Sequence, residues 1–420
     1  MYIETISKEE FNEFANKHIL KNFYQTAEYG ELMRHSDFSV MYIGGFQKKE
    51  LVAASLILYK EIGPKMKYGY APRGFLVDYN NEELLISFTK KVKEFFFLKG
   101  FAFIKINPEI SYAILDYKNK TKIINTLNKK VMSSLKDLGY SKLKDNLYYE
   151  SLLPKYTPVI YLPGYDINSL GNKLTDKIEL AHKKGLHLIS GSEEDIETFY
   201  EFVENKKNKT IAFYKYLYKQ FKASDMIDLI LVEINYNLYV KYLQKEYIYQ
   251  MDINEEKNEY FNEHPDDKNA YEEKMKSDKI VNDLSYSIAF INTRMKNNEK
   301  NEIIGGALVI KHQGRVTIYI SGQSNVYEEV DVKTFLFYKI IDEYKKANYK
   351  FLDLYGITGD FSDNNPFKKH NDFKLSFKPT VYEYIGEYDL IVNKTFHQIL
   401  LSTNKIQKEF YKPVINPMSE

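Results

Sequence analysis

One pattern occurs twice in this chain, and it limits the fold more than any other feature. Residues 88–108 read FTKKVKEFFFLKGFAFIKINP, and residues 337–357 read FYKIIDEYKKANYKFLDLYGI. Each is an amphipathic helix, a Gly or Asn stop (Gly100, Asn348) and a short strand of period two that ends at Pro108 or Gly356. Two strand-like runs precede each copy. They are VMYIGGF (40–46) and LVAASLILY (51–59) in the first half, and IIGGALVIK (303–311) and RVTIYISG (315–322) in the second. The order strand, strand, helix, strand therefore repeats, which predicts a duplicated α/β fold. Two such lobes facing each other leave a cleft, where ligands bind. The pattern predicts a first lobe over residues 1–163 and a second over 164–234 and 304–395.

The tract 235–303 interrupts the second copy. It has no glycine and a single proline, Pro265. Positions 239, 242, 246, 249, 253, 256 and 260 follow a heptad and hold Tyr, Tyr, Glu, Tyr, Ile, Glu and Tyr. After His264-Pro265 a second apolar series runs Ile280, Leu284, Ile288, Ile291 and Met295. Pro265 with Asp266 and Asp267 is a helix-restart signal. The tract reads as an antiparallel helical hairpin, a coiled-coil arm reaching roughly 40 Å at 1.5 Å per residue. It holds 10 Lys+Arg and 14 Asp+Glu, so its charge is 10 − 14 = −4. Phe396 to Phe410 reads as a C-terminal helix, and the end after Pro413 as a frayed tail.

Composition mainly excludes. With 59 Lys+Arg against 58 Asp+Glu over 420 residues, the chain is not a generally basic nucleic-acid binder. A polyanion would have to meet a local patch. The absence of cysteine removes disulfides, thiolate metal sites and a cysteine nucleophile. Met1 to Glu10 has no basic-then-apolar signal segment, and the longest apolar run, Leu51 to Tyr59, is too short to span a bilayer. A cytoplasmic protein is expected. No Gly-x-Ser-x-Gly elbow, Walker loop or Gly-x-Gly-x-x-Gly occurs. The eight histidines are scattered, and His182 and His187 are five apart, wrong for two ligands on one helical face, so no metal is expected. Glu193, Glu194 and Asp195 fall where a helix begins and suit its dipole.

Eight stretches, in order along the chain, resemble the FemABX family of peptidoglycan peptidyltransferases, above all its FemA/FemB-like branch. FYQTAEYGELMR (23–34) resembles the family's N-terminal Gln-Ser/Thr helix, and KYGYAPRGFLVDY (67–79) its Arg-Gly-Pro-Val-x-Asp segment. FIKINPEISY (103–112) is similar to the strand ending in Asp-Pro, and LTDKIELAHKKGLHL (174–188) to the basic helix leading into the second lobe. The arm at 235–303 stands where the family has a coiled-coil arm. SGQSN (321–325), DLYGITGDFSDNN (353–365) and DFKLSFKPTVYEYIGEYDLIVNK (372–394) resemble the Ser-Gly-x-Ser turn, the Gly-Ile-Ser-Gly segment and the closing Phe-Lys and Ile-Gly-Glu stretch.

The resemblance implies an α/β (α+β) fold of two GNAT-like lobes with the inserted hairpin arm. It implies an aminoacyltransferase that moves an amino acid from aminoacyl-tRNA to a lipid-linked or UDP-linked muropeptide, without a cofactor. A peripheral contact with the inner membrane face, and a homo- or hetero-dimer with related Fem proteins, are compatible with it. Lys374, beside Phe373, falls on the family's Phe-Lys pair and would stabilise the oxyanion; a solvent-facing strand lysine is the bland alternative. Arg34, Arg73, Asn107 and Tyr319 would bind the acceptor, with bracing of the Pro72-Gly74 turn as the equal alternative for Arg73 and a core strand position for Tyr319. Because the arm is acidic, the tRNA would meet Lys173, Lys177, Lys183 and Lys184, joined by Lys206, Lys207 and Lys209.

The chain also departs from the family pattern. Asn107 replaces the family's Asp, Phe75 replaces the Pro of Arg-Gly-Pro, and Met33 stands where a basic residue is usual. These departures leave open a non-catalytic relative that binds a catalytic partner through its arm. An ordinary acyl-CoA acetyltransferase would need an Arg/Gln-x-x-Gly-x-Gly/Ala turn, and neither lobe has one.

Overall fold

The structure, a computed structural model, describes residues 1–62, 66–145, 147–149, 152–204, 209–297, 301–327 and 330–402. The first half opens with β1 (Tyr2–Thr5), α1 (Lys8–Lys17) and α2 (Ala27–Arg34). Ser7 starts α1 through a capping box with Glu10. A meander of β2 (Ser39–Gln47), β3 (Glu50–Ile62) and β4 (Met66–Ala71) leads into α3 (Glu82–Leu98) and β5 (Phe101–Ile106). Leu85, Phe88, Val92 and Phe96 recur at helical spacing on α3 and pack with Phe101 and Ile104 in one core. Each large apolar side chain so buried contributes about 1.5–3 kcal/mol.

Next come β6 (Ser111–Asp116), β7 (Thr121–Ile124), α4 (Thr126–Asp137), β8 (Tyr140–Lys142) and β9 (Tyr156–Tyr161). The second lobe follows with α5 (Asn172–Lys183), β10 (Leu186–Gly191), α6 (Ile196–Glu201), α7 (Ile211–Lys222) and β11 (Ile227–Ile234). The arm helices are α8 (Tyr236–Glu263) and α9 (Lys268–Asn297). Then β12 (Glu302–His312), β13 (Arg315–Gln323), α10 (Val332–Lys346) and β14 (Phe351–Asp353) complete the second repeat. The chain closes with α11 (Lys368–Leu375), β15 (Thr380–Tyr384), β16 (Tyr388–Ile391) and α12 (Lys394–Ser402). The helix expected over 396–410 thus appears in its first part as α12, and residues 403–420 lie outside the described residues.

The strands form two sheets, β1-β2-β3-β4-β5-β16-β8 and β10-β11-β12-β13-β14-β9-β15-β6-β7. Position by position the first seven strands of each correspond, so the expected duplication is present. Its alignment shifts by one strand. The strand that precedes the crossover helix and runs parallel to the next strand is β4 in one lobe and β13 in the other. Hence β12 matches β3 and β11 matches β2. The sequence reading missed β4 because MKYGYA holds a glycine and no β-branched residue. This alignment also locates the arm. It replaces the tight turn at Lys48 and Lys49, both at positive φ, that joins β2 to β3.

The sheets do not divide the chain at residue 163. After β5, β7, β8 and β15 the chain crosses from one sheet to the other. As a result β6, β7 and β9 pair in the second sheet, and β16 pairs in the first. Inserting β16 between β5 and β8 sets Lys105 opposite Asp389, and the two form a fully buried ion pair at 2.9 Å. The lobes are therefore topologically tied, with no single linker between them.

The arm is an antiparallel hairpin, as its sequence implies, but its seam differs from the heptad reading. At the root, Tyr239, Leu243 and Ile291 belong to the core of the second lobe. Farther out, Tyr249 is 60% exposed and Tyr260 is also exposed, while Asn254 and Phe261 face α9. A heptad grid slips by roughly 20° per heptad against a straight helix, which accounts for the drift. On α9, Leu284, Ile288, Ile291 and Met295 face the core as expected; Ile280 is exposed and Ser277 is buried instead. The outer seam is polar: Asn254 Nδ2 donates to Asp278 Oδ1 at 2.8 Å, and Lys257 pairs with Glu273.

The arm is thus two segments with different energetics. Replacing residues 248–283 by a short Gly/Ser link is expected to leave one cooperative thermal transition, whereas removing 235–303 should abolish it. Leu243→Ala should cost about 2–5 kcal/mol in urea unfolding, and Tyr249→Ala less than about 0.5 kcal/mol. Equal costs at the two positions would contradict this division.

Candidate functional site

The junction of the two lobes is polar, and the sequence Asn107-Pro108-Glu109 builds it. This stretch leaves β5 where the chain crosses to the second sheet, so both side chains enter the junction. Asn107 Oδ1 accepts the Arg73 backbone N–H at 2.8 Å, and its Nδ2 donates to Tyr70 Oη at 2.9 Å. Arg73 lies at φ +53° in the Pro72-Arg73-Gly74 turn. Its Nη2 donates to the Pro154 carbonyl at 2.8 Å, and its guanidinium lies 4.9 Å from the Tyr384 ring centre. Gln25 is fully buried and braces this turn, donating to the Pro72 carbonyl at 2.7 Å and accepting from the Leu56 N–H at 2.9 Å.

Glu109 joins the lobes. It accepts from Arg315 Nη1 at 2.5 Å, from Tyr384 Oη at 2.7 Å and from Asn22 Nδ2. The other arm of the Arg315 guanidinium donates to Asp353 Oδ2 at 2.5 Å. Burial alone would raise the Glu109 carboxyl, but Arg315 and Arg73 hold it below the usual carboxylate range. Burial likewise disfavours charge on Arg315, and Glu109 and Asp353 overcome it. A small pocket beside this network is lined by Arg73, Asn107, Lys155, Tyr384 and Glu387, among others. Lys155 bridges Asp145 at 3.0 Å and Glu383 at 3.2 Å. Burial pushes the Glu387 carboxyl up against the pull of Lys105. The pocket thus offers fixed positive groups and one carboxyl biased toward its neutral form.

Lys374 sits on the far side of the same junction. It lies on α11 and is 6% exposed, so it is neither a strand residue nor solvent-facing. Its Nζ donates to the Gly356 carbonyl at 2.8 Å. A Cβ on Gly356 would lie 2.6 Å from the Pro154 ring, so only glycine permits this approach. Pro154 in turn holds Arg73. Lys374 and Arg73 therefore flank one Gly356–Pro154 contact. Asn365 and Asn371 both donate to Thr358 Oγ1, at 2.8 and 2.9 Å, and fix the loop between Gly356 and α11. Phe373 packs edge-on against Phe337 at 4.9 Å and Phe377 at 5.5 Å. Its contacts seat α11 on the second-lobe core.

The remaining expected residues are dispersed. Tyr319 joins an aromatic cluster, 6.0 Å from Tyr355 and 6.3 Å from Phe23, and burial raises its phenol. In that cluster the Tyr24 and Tyr355 hydroxyls meet at 3.1 Å. Arg34 is exposed at the end of α2, 3.3 Å from Glu31, and does not line the pocket with Arg73. Lys173 and Lys183 are exposed on α5. Lys177 pairs with Asp331 at 2.6 Å. Lys184 is 8% exposed and clamps the root of the arm, 5.9 Å from both the Tyr239 and Tyr242 rings. The four lysines thus do not share one open surface. Lys209 covers the Phe213 ring, and Lys206 and Lys207 lie outside the described residues.

Sequence reasoning missed Glu109, Arg315, Asp353, Tyr384, Lys155 and Glu387. Five of them lie inside stretches quoted above, but nothing in one sequence pairs residue 109 with residue 315. Among the described residues no group of three or more His, Asp or Glu is placed to hold a metal ion, and no helix is long and apolar enough to cross a membrane.

The FemAB family model matches residues 6–405. Aminoacyltransferase FemA of Staphylococcus epidermidis is 22% identical over 432 residues, spanning 97% of this chain and 100% of that protein. The Staphylococcus aureus protein of the same name is 21% identical over 434 residues, spanning 98% and 100%. A crystal structure of FemX aligns with a TM-score of 0.72 at 18% identity, covering 95% of this chain and 100% of that one, which shows a shared fold.

Removing Arg315 strands two buried carboxylates. Arg315→Met is expected to cost about 3–5 kcal/mol at neutral pH. Because the folded Glu109 pKa is depressed, the network contributes stability above the unfolded value, about 4.3, and loses it as pH falls through the folded value. Urea unfolding of both proteins should show the gap narrowing on acidification. A gap independent of pH would mean that charge at Glu109 is not the cause.

Proposed function

The chain belongs to the FemAB family and is an aminoacyltransferase, and on that premise we propose that it moves an amino acid from aminoacyl-tRNA to the side-chain amine of a lipid- or UDP-linked muropeptide, building the interpeptide bridge of peptidoglycan. The observation that carries the reading is the pair of buried cations, Lys374 and Arg73, on either side of the Gly356–Pro154 contact at the lobe junction.

The chemistry needs little more. The acceptor nitrogen attacks the ester carbonyl and a C–N bond forms. Charge gathers on the carbonyl oxygen, the C–O bond to the ribose breaks, and the ribose oxygen takes up a proton while the nitrogen loses one. A fixed ammonium in a site poor in water stabilises that oxyanion. Lys374 suits the task because Gly356 and the rigid 358–371 loop hold it in place. Phe373 supports it by seating α11. Arg73 and Lys155 suit the anionic part of an acceptor. Asn107 acts through Arg73: its oxygen is already held by the Arg73 N–H, so its role is to fix the turn. A tRNA would meet the exposed Lys173 and Lys183, and the cytoplasm is where aminoacyl-tRNA is found.

Lys374→Met is expected to lower turnover on the order of a hundredfold or more while charged-tRNA binding persists. Because Lys374 is buried, its melting curve is measured beside the rate; a folded variant with unchanged turnover would remove Lys374 from the mechanism. The donor is tested by transfer of labelled amino acid to a muropeptide, with and without ribonuclease. Activity that survives complete tRNA digestion refutes the donor assignment. A non-catalytic relative acting through its arm would show no transfer in either condition.

A further inference from the structure

The β6–β7 hairpin and α4 carry a charge that the rest of the chain lacks. Residues 117–144 hold eight lysines and one acid, Asp137, a net +7 inside a chain of net +1. All eight lysines are exposed. Lys122 pairs with Glu383 and Lys142 with Asp145, which leaves a strong excess of positive charge.

Apolar side chains stand out among these lysines. Ile123 is 72% exposed and Leu127 is 65% exposed. Ile123 lies directly opposite Ile114, itself exposed, and Ile114 lies opposite Tyr382, so three strands present one apolar row. β7 is the last strand of its sheet, and lysines on a sheet edge commonly guard against pairing with another strand. That role does not extend to Lys129, Lys130 and Lys136 on α4, nor does a guarded edge leave isoleucines in water. A second copy of this chain is disfavoured, because the face would meet its own positive charge. RNA is disfavoured too, since bases stack on exposed rings and the outermost groups here are aliphatic.

Next to this face a groove runs between α4 and the first sheet. Tyr112, Met132, Tyr140 and Tyr388 lie in it, with Lys129 and Lys136 at its rim. The Tyr388 hydroxyl is buried and, among the described residues, has no hydrogen-bond partner. Buried hydroxyls are normally satisfied, and an acceptor oxygen of a lipid phosphate would satisfy this one.

We propose that the β6–β7–α4 face docks peripherally on an anionic lipid bilayer, with Ile123 and Leu127 entering the interface, the lysines meeting headgroup phosphates, and the groove receiving one of those headgroups. Resting on the function proposed above, this favours a lipid-linked acceptor. Lys142 lines the groove, and Lys144 and Asp145, two and three residues on, line the pocket of Arg73. A substrate anchored in the bilayer at this face lies beside the lobe junction.

The test is sedimentation with vesicles of phosphatidylglycerol in phosphatidylcholine, against vesicles of phosphatidylcholine alone. The full chain should partition onto the anionic vesicles only, and less as salt rises. Lys118→Gln/Lys120→Gln/Lys130→Gln and Ile123→Ser/Leu127→Ser should each weaken partitioning by at least about tenfold, with unchanged melting curves. Failure to bind anionic vesicles at low salt, or variants that bind like the parent, overturns the proposal. So does tRNA that binds this face in place of vesicles. Transfer to a lipid-free UDP-linked acceptor should be the same in parent and variants. Loss of transfer with vesicle binding intact refutes the proposed reaction and leaves this face standing.

Discussion

Arg315 neutralises two buried carboxylates that reach it from different parts of the chain, and the arrangement of the lobes depends on it. Glu109 arrives on the segment that carries the chain from the first sheet to the second, and Asp353 ends β14 of the second. With Asn22 and Tyr384 also bound to Glu109, three separate segments converge on one carboxylate. A buried network of this kind adds little over an apolar contact of the same size, yet breaking it is costly. Its effect is geometric. It holds the Arg73 turn, the Pro154 carbonyl and the Gly356 loop in one relation, and the proposed chemistry uses that relation.

The duplicated lobes show how an insertion can be large without disturbing a core. The arm grows from a hairpin turn, so the flanking strands β11 and β12 still pair through most of their length. Its root contributes to the lobe, through Tyr236, Tyr239, Val240 and Leu243 at the start of α8 and Leu284, Ile288, Ile291 and Met295 toward the end of α9. Beyond them the seam becomes polar, and apolar side chains such as Tyr249 and Tyr286 turn outward. Lys184 sits under the root, which explains why a lysine within a basic stretch is not available at the surface.

Local pattern was legible in the sequence where one element decides its own state. Gly100 and Asn348, both at positive φ, do end their helices, and Pro265 does mark the tip of the hairpin. The Phe373-Lys374 pair stands out in the sequence, but the helix that carries it does not. What could not be read depends on partners far away along the chain. The exchange of β9 and β16 between sheets follows from crossings that leave no local signature. Glu109 and Arg315 are 206 residues apart. The basic stretch at 117–144 is legible as charge, but the exposed apolar row that Ile123 shares with Ile114 depends on strand pairing and is not.

The exchange of β16 also bears on how the protein emerges from the ribosome. Among the described residues the edge of β5 away from β4 is covered only by β16, so it waits for 388 − 106 = 282 further residues to be made. At about 5–20 residues per second that is roughly a quarter of a minute to a minute. During that interval a strand of otherwise apolar residues has a free edge, the usual template for aggregation. Lys105 stands in the middle of that strand. While the edge is open its charge opposes pairing with a foreign strand, and when Asp389 arrives the charge is neutralised and enclosed. One ion pair thus serves as a guard during synthesis and as a latch afterwards.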